Sequence, residues 1–445
     1  MLYEYIRERM LKHPNQVISN ENKKHTYADV ISQAEALGEK LVEEKYGILC
    51  DSDLDTAISL LACLYARKTA VILSRKYGES HLQRIIETIH LSYILTQNGV
   101  VKISESGTEK EDLSDVALIM CTSGTTGKPK GVMLTEDNLF ANLSDIEKYF
   151  RIDESDHILI ARPLYHCAVL TGELLISLIK GLRISFFEEG FIPYKLLSSA
   201  RKKGVTVLCG TPTLLYHLSS INVKSQTPLS LRIIAVSGEC MTEKAANIIK
   251  KAFTETFIYH VYGLTEASPR ALYLPPDEFD QNPLSVGVPL DSLEAKIADN
   301  ELLLKGKSIM KGYYNNPMET SNVLRDGWLH TGDLAEINDN GRFFIKGRRD
   351  SMIIRSGMNI YPSEIENAIK QDERISDALV YGIKKDVVGE KIYIKVVTFL
   401  NKAEVFDLCK KFLSTYQFPD EIEIVSEIPR NASGKVIRNA ERYRD

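Results

Sequence analysis

Cys121-Thr-Ser-Gly-Thr-Thr-Gly-Lys-Pro-Lys-Gly131 places three glycines, four hydroxyl side chains and two lysines within eleven residues. Glycines let backbone N–H groups close on an anion, hydroxyls donate further hydrogen bonds, and lysines balance charge. The stretch therefore predicts a cradle for a nucleoside triphosphate, made by Thr122, Ser123, Gly124, Thr125, Thr126, Gly127, Lys128 and Lys130. It is not a Walker A loop, which needs glycine five residues before the Gly-Lys pair and Ser or Thr directly after it. Those positions hold Thr122 and Pro129. The apolar run 116–120 just upstream reads as a buried strand, and a helical pattern begins near Leu139, so the loop is expected at a strand end.

The same alternation of short apolar runs and helical periodicity extends outward on both sides. Upstream it predicts helices over 29–43 and 79–89 and strands over 46–49, 70–73 and 93–96; downstream it predicts strands over 157–160, 183–187, 205–209 and 233–236. Beyond Pro283 the strands shorten and are punctuated by Gly, Asp and Asn, over 293–297, 301–305 and 342–346. After Gly347 a helix (360–369), two strands (377–383, 391–400) and another helix (404–413) make a unit of small-domain size. The expected fold class is α/β: a large N-terminal domain of two layered α/β subdomains plus a small β-rich subdomain, then a small mobile α+β C-terminal domain. The division is placed as 1–348 and 349–445.

A chain of 445 residues, 44% hydrophobic and 26% charged, has the balance of an ordinary globular protein. Its net charge of −5 argues against nucleic acid or an anionic membrane as the main partner. Glu4, Arg7, Glu8 and Arg9 interrupt the N-terminus, unlike a signal peptide, and Arg67-Lys68 break the longest apolar tract, so no membrane span and a cytoplasmic location are expected. The seven cysteines are scattered without a C-x-x-C pair, which opposes a disulfide framework or a structural zinc site. Cys167 follows His166 directly, but catalytic Cys/His pairs adjoin in space and seldom in sequence.

Five further segments carry chemistry. Pro163-Leu-Tyr-His166 sets a rigid turn bearing an imidazole that could face a pocket, although a lone histidine is more often structural. Val261-Tyr-Gly-Leu-Thr-Glu266 combines an aromatic that can stack on a base with a hydroxyl and a carboxylate suited to a hard cation; a capped strand end would look the same. Trp328-Leu-His-Thr-Gly-Asp333 ends on a carboxylate able to accept from both hydroxyls of a ribose. Gly347-Arg-Arg-Asp350 offers Arg348 to ribose or phosphate oxygens at a compositional boundary. Pro429-Arg-Asn-Ala-Ser-Gly-Lys435 carries a lysine on a glycine-containing turn, where it either reaches a developing negative charge or is simply solvated.

Together with the glycine-rich loop, these segments resemble the acyl-adenylate-forming enzymes: acyl-CoA synthetases, stand-alone adenylation enzymes and luciferases. The match spans nearly the whole chain. The resemblance implies that a carboxylic acid is activated with ATP as an acyl-adenylate and then passed to a thiol. CoA is the expected acceptor, with the phosphopantetheine arm of a separate carrier protein as the alternative. It assigns Ser237, Gly238 and Glu239 to the adenine-binding loop, Tyr262 and Gly263 to the adenine face, Thr265 to phosphate, Glu266 to Mg²⁺, and Asp333 and Arg348 to the ribose region. It makes Lys435 the adenylation cation, Asp350 the hinge between domains and Gly357 a neighbour of the pantetheine arm. His166 lines the acyl pocket, with Tyr165, Val169, Cys209, Gly210, Ser237, Gly238 and Gly263 as further walls. Enzymes for α-amino acids carry an Asp just after that histidine; the apolar Cys167-Ala-Val-Leu170 here implies an acid without an α-amino group. The region before Cys121 is short for the family, and Arg67-Lys68 stands where its pattern has Ala-Gly.

Overall fold

The computed structural model describes residues 2–75, 78–104, 111–123, 129–225, 228–229, 231–355, 358–385, 389–430 and 436. A seven-stranded sheet runs Gly312–Tyr313, Pro129–Thr135, Val116–Ser123, Thr69–Ile72, Lys45–Ile48, Tyr93–Thr96, Gly99–Lys102. Its inner pairs are parallel. A nine-stranded sheet runs Val288–Pro289, Arg270–Leu274, Phe257–Gly263, Ile233–Ser237, Val207–Gly210, His157–Ile160, Arg183–Phe186, Val17–Ser19, Lys24–Thr26. From Phe257–Gly263 to Val17–Ser19 it is parallel throughout. Parallel strands covered by helices on both faces need apolar side chains at every position. Thr69–Ile72, His157–Ile160 and Val207–Gly210 are accordingly buried along their whole length.

The connecting helices start where their caps dictate. Thr26 and Thr135 close capping boxes at Tyr27–Gly38 and Glu136–Tyr149, each satisfying amide donors that the first turn leaves open. Helix Asp53–Tyr65 escapes the periodicity expectation because Leu54 and then nine consecutive residues, Thr56 to Leu64, are buried, leaving no polar stripe to read. It ends at Ala66 and is followed by Arg67 in the left-handed conformation, φ 52°, with the Lys68 amide donating back to Cys63 O at 2.8 Å. An arginine there adopts a backbone state usually left to glycine.

Leu293–Ala298, Glu301–Gly306, Trp328–Ile337, Leu324–Arg325 and Phe343–Arg348 form an antiparallel sheet. The C-terminal segment builds a fourth sheet from Met358–Ile360, Ile353–Arg355, Gly389–Thr398, Ile375–Lys385 and Glu421–Ile424, packed against helices Pro362–Ile369 and Lys402–Phe412. Among the described residues, its core, including Ile365, Ile369, Val380, Ile394, Val405 and Cys409, draws none from before Ile353. The α/β class and its layering therefore stand as expected, with boundaries shifted by one to a few residues. Among the described residues no helix is long and apolar enough to cross a membrane.

Candidate active site

The strands explain how distant segments meet. His157–Ile160, Val207–Gly210, Ile233–Ser237 and Phe257–Gly263 are consecutive neighbours, all parallel. Their carboxyl ends therefore deliver, side by side, Pro163–His166, Gly210-Thr211, Ser237–Glu239 and Tyr262–Glu266. Ligands of open α/β sheets gather at such an edge.

Trp328–Ile337 brings Asp333 to this edge. The Tyr262 hydroxyl donates to Asp333 Oδ2 at 2.5 Å, and Arg348 Nη1 donates to Asp333 Oδ1 at 3.3 Å and to the Thr331 carbonyl at 2.9 Å. Asp333 and Arg348 are direct cross-strand partners, which puts them opposite one another. Burial, then Asp333, raises the Tyr262 hydroxyl well above its ordinary value, so it remains a donor. Burial opposes the charge on Arg348, but Asp333 and Asp350 outweigh it and hold the guanidinium more firmly protonated. Gly332 sits at φ 71°, and a Cβ there would stand 3.1 Å from Arg348 Nη2. The glycine lets the guanidinium lie across the strand.

Glu266 follows in a short 3₁₀ turn, Thr265–Ala267, and its Oε1 accepts from the Tyr313 hydroxyl at 2.8 Å. Burial and then Glu266 raise the Tyr313 phenol. Lys130 lies over the Tyr313 ring, 5.2 Å from its centroid, and forms an ion pair with Glu319. Thr122 pairs with Lys130 across the antiparallel strands Val116–Ser123 and Pro129–Thr135. Both flanks of the glycine-rich stretch are thus strand, and a second strand precedes helix Glu136–Tyr149 where the sequence suggested only loop. Gly124, Thr125, Thr126, Gly127 and Lys128 lie outside the described residues, as does the side chain of Ser123. Lys435 and Gly357 also lie outside them.

Gly263 stands where Phe257–Gly263 breaks register with Arg270–Leu274. A Cβ at this position would fall 2.1 Å from the Pro269 carbonyl oxygen, a backbone atom that also receives the Leu264 amide at 2.9 Å. Gly263→Ala is expected to lower the thermal midpoint and cost about 1–3 kcal/mol, as overpacking does. An unchanged melting curve would show that the strand end yields.

The acid-pocket residues divide. The His166 and Tyr165 rings meet at a tilt of 47° with centroids 4.3 Å apart, and burial followed by Asp53 pushes the Tyr165 phenol up to about 12. Val169 and Cys209 are packed fully into the main core, and burial pushes the Cys209 thiol up to about 12. Both are buried and offer no open surface. Ser237 ends its strand, and Gly238 follows at φ 95°. Glu239 accepts from Thr213 Oγ1 at 2.7 Å and from Arg430 Nη1 at 3.4 Å. Arg430 also donates to Asp377 at 2.5 Å and pairs with Val436 in an antiparallel bridge, so residues on both sides of 431–435 are fixed. Sequence reading missed Tyr313, Glu319, Arg430 and the buried ion pair in which Arg162 Nη2 donates to Glu173 Oε1 at 2.6 Å. Their partners lie 47, 189, 191 and 11 residues away, beyond any local pattern.

One carboxylate, Glu266, is present where a cation would be needed; among the described residues no group of three or more metal-ligating side chains forms. That fits Mg²⁺, which binds through one or two carboxylates and the phosphates of its substrate.

The family model of AMP-binding enzymes matches residues 102–314, and that of the AMP-binding enzyme C-terminal domain matches 364–435. The 2-succinylbenzoate–CoA ligase of Bacillus pumilus (strain SAFR-032) is 29% identical over 461 aligned positions, covering 94% of this chain and 93% of its own. Its counterpart from Listeria monocytogenes serovar 1/2a (strain ATCC BAA-679 / EGD-e) is 34% identical over 338 positions, 74% of this chain and 70% of its own. The solved o-succinylbenzoate CoA synthetase of Bacillus subtilis, in complex with its acyl-adenylate intermediate, aligns with a TM-score of 0.86 at 25% identity, over 98% of this chain and 97% of that one. The same enzyme with ATP and magnesium gives 0.84 at 26% identity, over 98% and 99%.

Proposed function

The chain belongs to the AMP-binding family of acyl-adenylate-forming enzymes and is an AMP-forming ligase, and we propose that it joins CoA to a carboxylic acid lacking an α-amino group. The observation that carries the site assignment is the Asp333 carboxylate, shared by Tyr262 and Arg348 at the carboxyl edge of four parallel strands. Its two oxygens suit the paired hydroxyls of a ribose, with Ser237–Glu239 and Tyr262 beside the adenine.

In the first half-reaction a carboxylate oxygen attacks the α-phosphorus of ATP. The new C–O–P link forms as the bond to the β-phosphate oxygen breaks, and pyrophosphate departs. In the second, the CoA thiol loses its proton and attacks the acyl carbon, and AMP leaves. The protein mostly positions reactants and offsets charge. Thr122, Lys130 and residues 123–128 hold the departing phosphates, Thr265 steadies them, and Glu266, oriented by Tyr313, would hold Mg²⁺. When bound, that ion neutralises developing charge on the phosphate oxygens. Lys435 is assigned to offset charge at the α-phosphorus during adenylation.

Residues 1–348 act as the body and 349–445 as a lid turning about Asp350, so that one site serves both half-reactions. Asp350 lies in the short turn Arg349–Ser351, where proline would lock φ and stiffen the joint. Asp350→Pro is expected to slow thioester formation roughly tenfold or more while pyrophosphate exchange changes little. Equal effects on both half-reactions would remove the hinge from Asp350. The function itself is tested by acid-dependent pyrophosphate exchange over aliphatic, aryl and dicarboxylic acids, with the CoA thioester detected by mass. No exchange with any acid would overturn it.

A further inference from the structure

Polar groups join the C-terminal lid to the body. Among the described residues, neither apolar cluster of the lid includes a residue from before Ile353. An interface without a shared apolar core rests on few contacts, and the balance between its orientations can turn on any one of them. Beside the joint, Ser363 Oγ donates to the Lys346 carbonyl at 2.5 Å. Two further ties involve residues far from Asp350 in sequence.

The first runs through Arg430. Its Nη2 donates to Asp377 Oδ2 at 2.5 Å within the lid, and its Nη1 donates across to Glu239 Oε1 at 3.4 Å. Each carboxylate is fixed from its own side. The Ala378 amide donates to Asp377 Oδ1 at 2.9 Å, and the amide and hydroxyl of Thr213 donate to Glu239 Oε2 at 3.3 and 2.7 Å. The side chains of Asp377, Arg430 and Glu239 are only 20%, 19% and 15% exposed, so salt and water screen them little. Arg430 and Val436, on either side of 431–435, pair in an antiparallel bridge. Whatever holds Arg430 against Glu239 therefore also holds both ends of the segment that carries Lys435.

The second tie is Lys244, near the start of body helix Glu243–Ala252. Its ammonium donates to the carbonyls of Lys370 at 3.2 Å and Asp372 at 3.4 Å, just past the end of lid helix Pro362–Ile369. A cation is favoured beside a helix C-terminus, where carbonyls lack partners within the helix. Lys244 lies outside every segment assigned to nucleotide, acid or metal.

We propose that Arg430, oriented by Asp377, and Lys244 are positioning residues for the first half-reaction: they latch the lid in the orientation that presents 431–435 to Ser237–Glu239. The assignment rests on the two-step reading of the lid proposed above and names the contacts that set its first orientation. Asp377 and Arg430 both belong to the lid and turn together. The second half-reaction therefore gives up the Glu239 and Lys244 contacts but keeps the pair. Removing the latch lowers the share of enzyme docked for adenylation and leaves thiolation unchanged.

The full-length enzyme is assayed for pyrophosphate exchange with benzoate, hexanoate and succinate, and for single-turnover thiolation of the best acid's adenylate, supplied ready-made. Lys244→Met removes ties to lid carbonyls without touching the nucleotide segments. It is expected to slow exchange roughly 3- to 10-fold through kcat, with thiolation and the KM for ATP unchanged. Arg430→Met, which loses a charge-assisted tie, should slow exchange roughly 10- to 30-fold, and Arg430→Lys, which keeps the charge but not the fork, should fall between. Asp377→Arg combined with Arg430→Asp rebuilds the pair inside the lid but sets a carboxylate against Glu239. It should thiolate at the wild-type rate and exchange as poorly as Arg430→Met. Recovery of exchange in this swap would mean that Arg430 serves the fold of the lid, and the latch is overturned. Lys244→Met decides even where the swap fails to fold: unchanged exchange, or equal loss of exchange and thiolation, also overturns the latch. Lys435→Ala in the same assays separates the latch from the reading beneath it. A selective loss there, beside latch variants that lose both steps evenly, removes the latch and keeps the two-step lid; an even loss in all of them removes both. No exchange with any acid in the wild type overturns the ligase function and the latch with it.

Discussion

Lys435→Ala is expected to depress acid-dependent pyrophosphate exchange by roughly 100- to 1000-fold, the range seen when one preorganised donor to a transition-state charge is removed. The same variant should still transfer the acyl group of a supplied acyl-adenylate to CoA. The expectation follows from what the first half-reaction lacks. A carboxylic acid near neutral pH is already ionised, because its ordinary pKa is about 4, so no general base is required. What must be managed is negative charge crowding the α-phosphorus, and a lysine reaching it acts only on that step. The described residues on either side of 431–435 are held in place: Arg430 binds Glu239, just beyond strand Ile233–Ser237, and Val436 packs beside Ile428 and Leu379. Exchange of labelled pyrophosphate and single-turnover thiolation, measured on one preparation, separate the steps. Equal loss of both would mean that the lysine supports the fold or the lid as a whole.

Local rules made much of this architecture legible. Buried parallel strands leave uninterrupted apolar runs, and His157–Ile160 and Tyr93–Thr96 begin and end where those runs do. Asp53–Tyr65 was illegible for the opposite reason: a helix buried on all sides has no period to detect. Pro129–Thr135 was hidden because its first residues belong to a motif whose glycines, proline and lysines read as loop, although they pair in register with Cys121–Ser123. At the site, Tyr262, Asp333 and Arg348 each stood in a recognisable segment, whereas the bonds joining them depend on where two sheets meet. Tyr313 carries no motif, and only the fold places it against Glu266. Arg162 lies one residue ahead of a recognised segment, but its buried ion pair with Glu173 cannot be inferred from a sequence window.

Asp333→Ala is expected to raise the KM for ATP about 100-fold while changing the KM for the acid little. Asp333 is 8% exposed, with its amide bound to Thr331 Oγ1 at 3.0 Å, so the carboxylate is held before any nucleotide arrives. A hydrogen bond to a charged acceptor contributes about 1.5–3 kcal/mol, and two ribose hydroxyls can share these oxygens. The existing ion pair with Arg348 contributes far less, about 1 kcal/mol at most, because the arginine side chain is 48% exposed and screened by water. Loss of the carboxylate should therefore fall on nucleotide binding and not on folding, and the melting temperature should move by only a few degrees. Substrate deletion makes the assignment specific. Wild-type enzyme should discriminate strongly between ATP and its 2′- and 3′-deoxy forms, and Asp333→Ala should lose most of that discrimination because the acceptor is gone. If the variant weakens ATP binding yet still distinguishes the deoxynucleotides as well as the wild type does, Asp333 acts through Tyr262 and Arg348, and the ribose is held elsewhere.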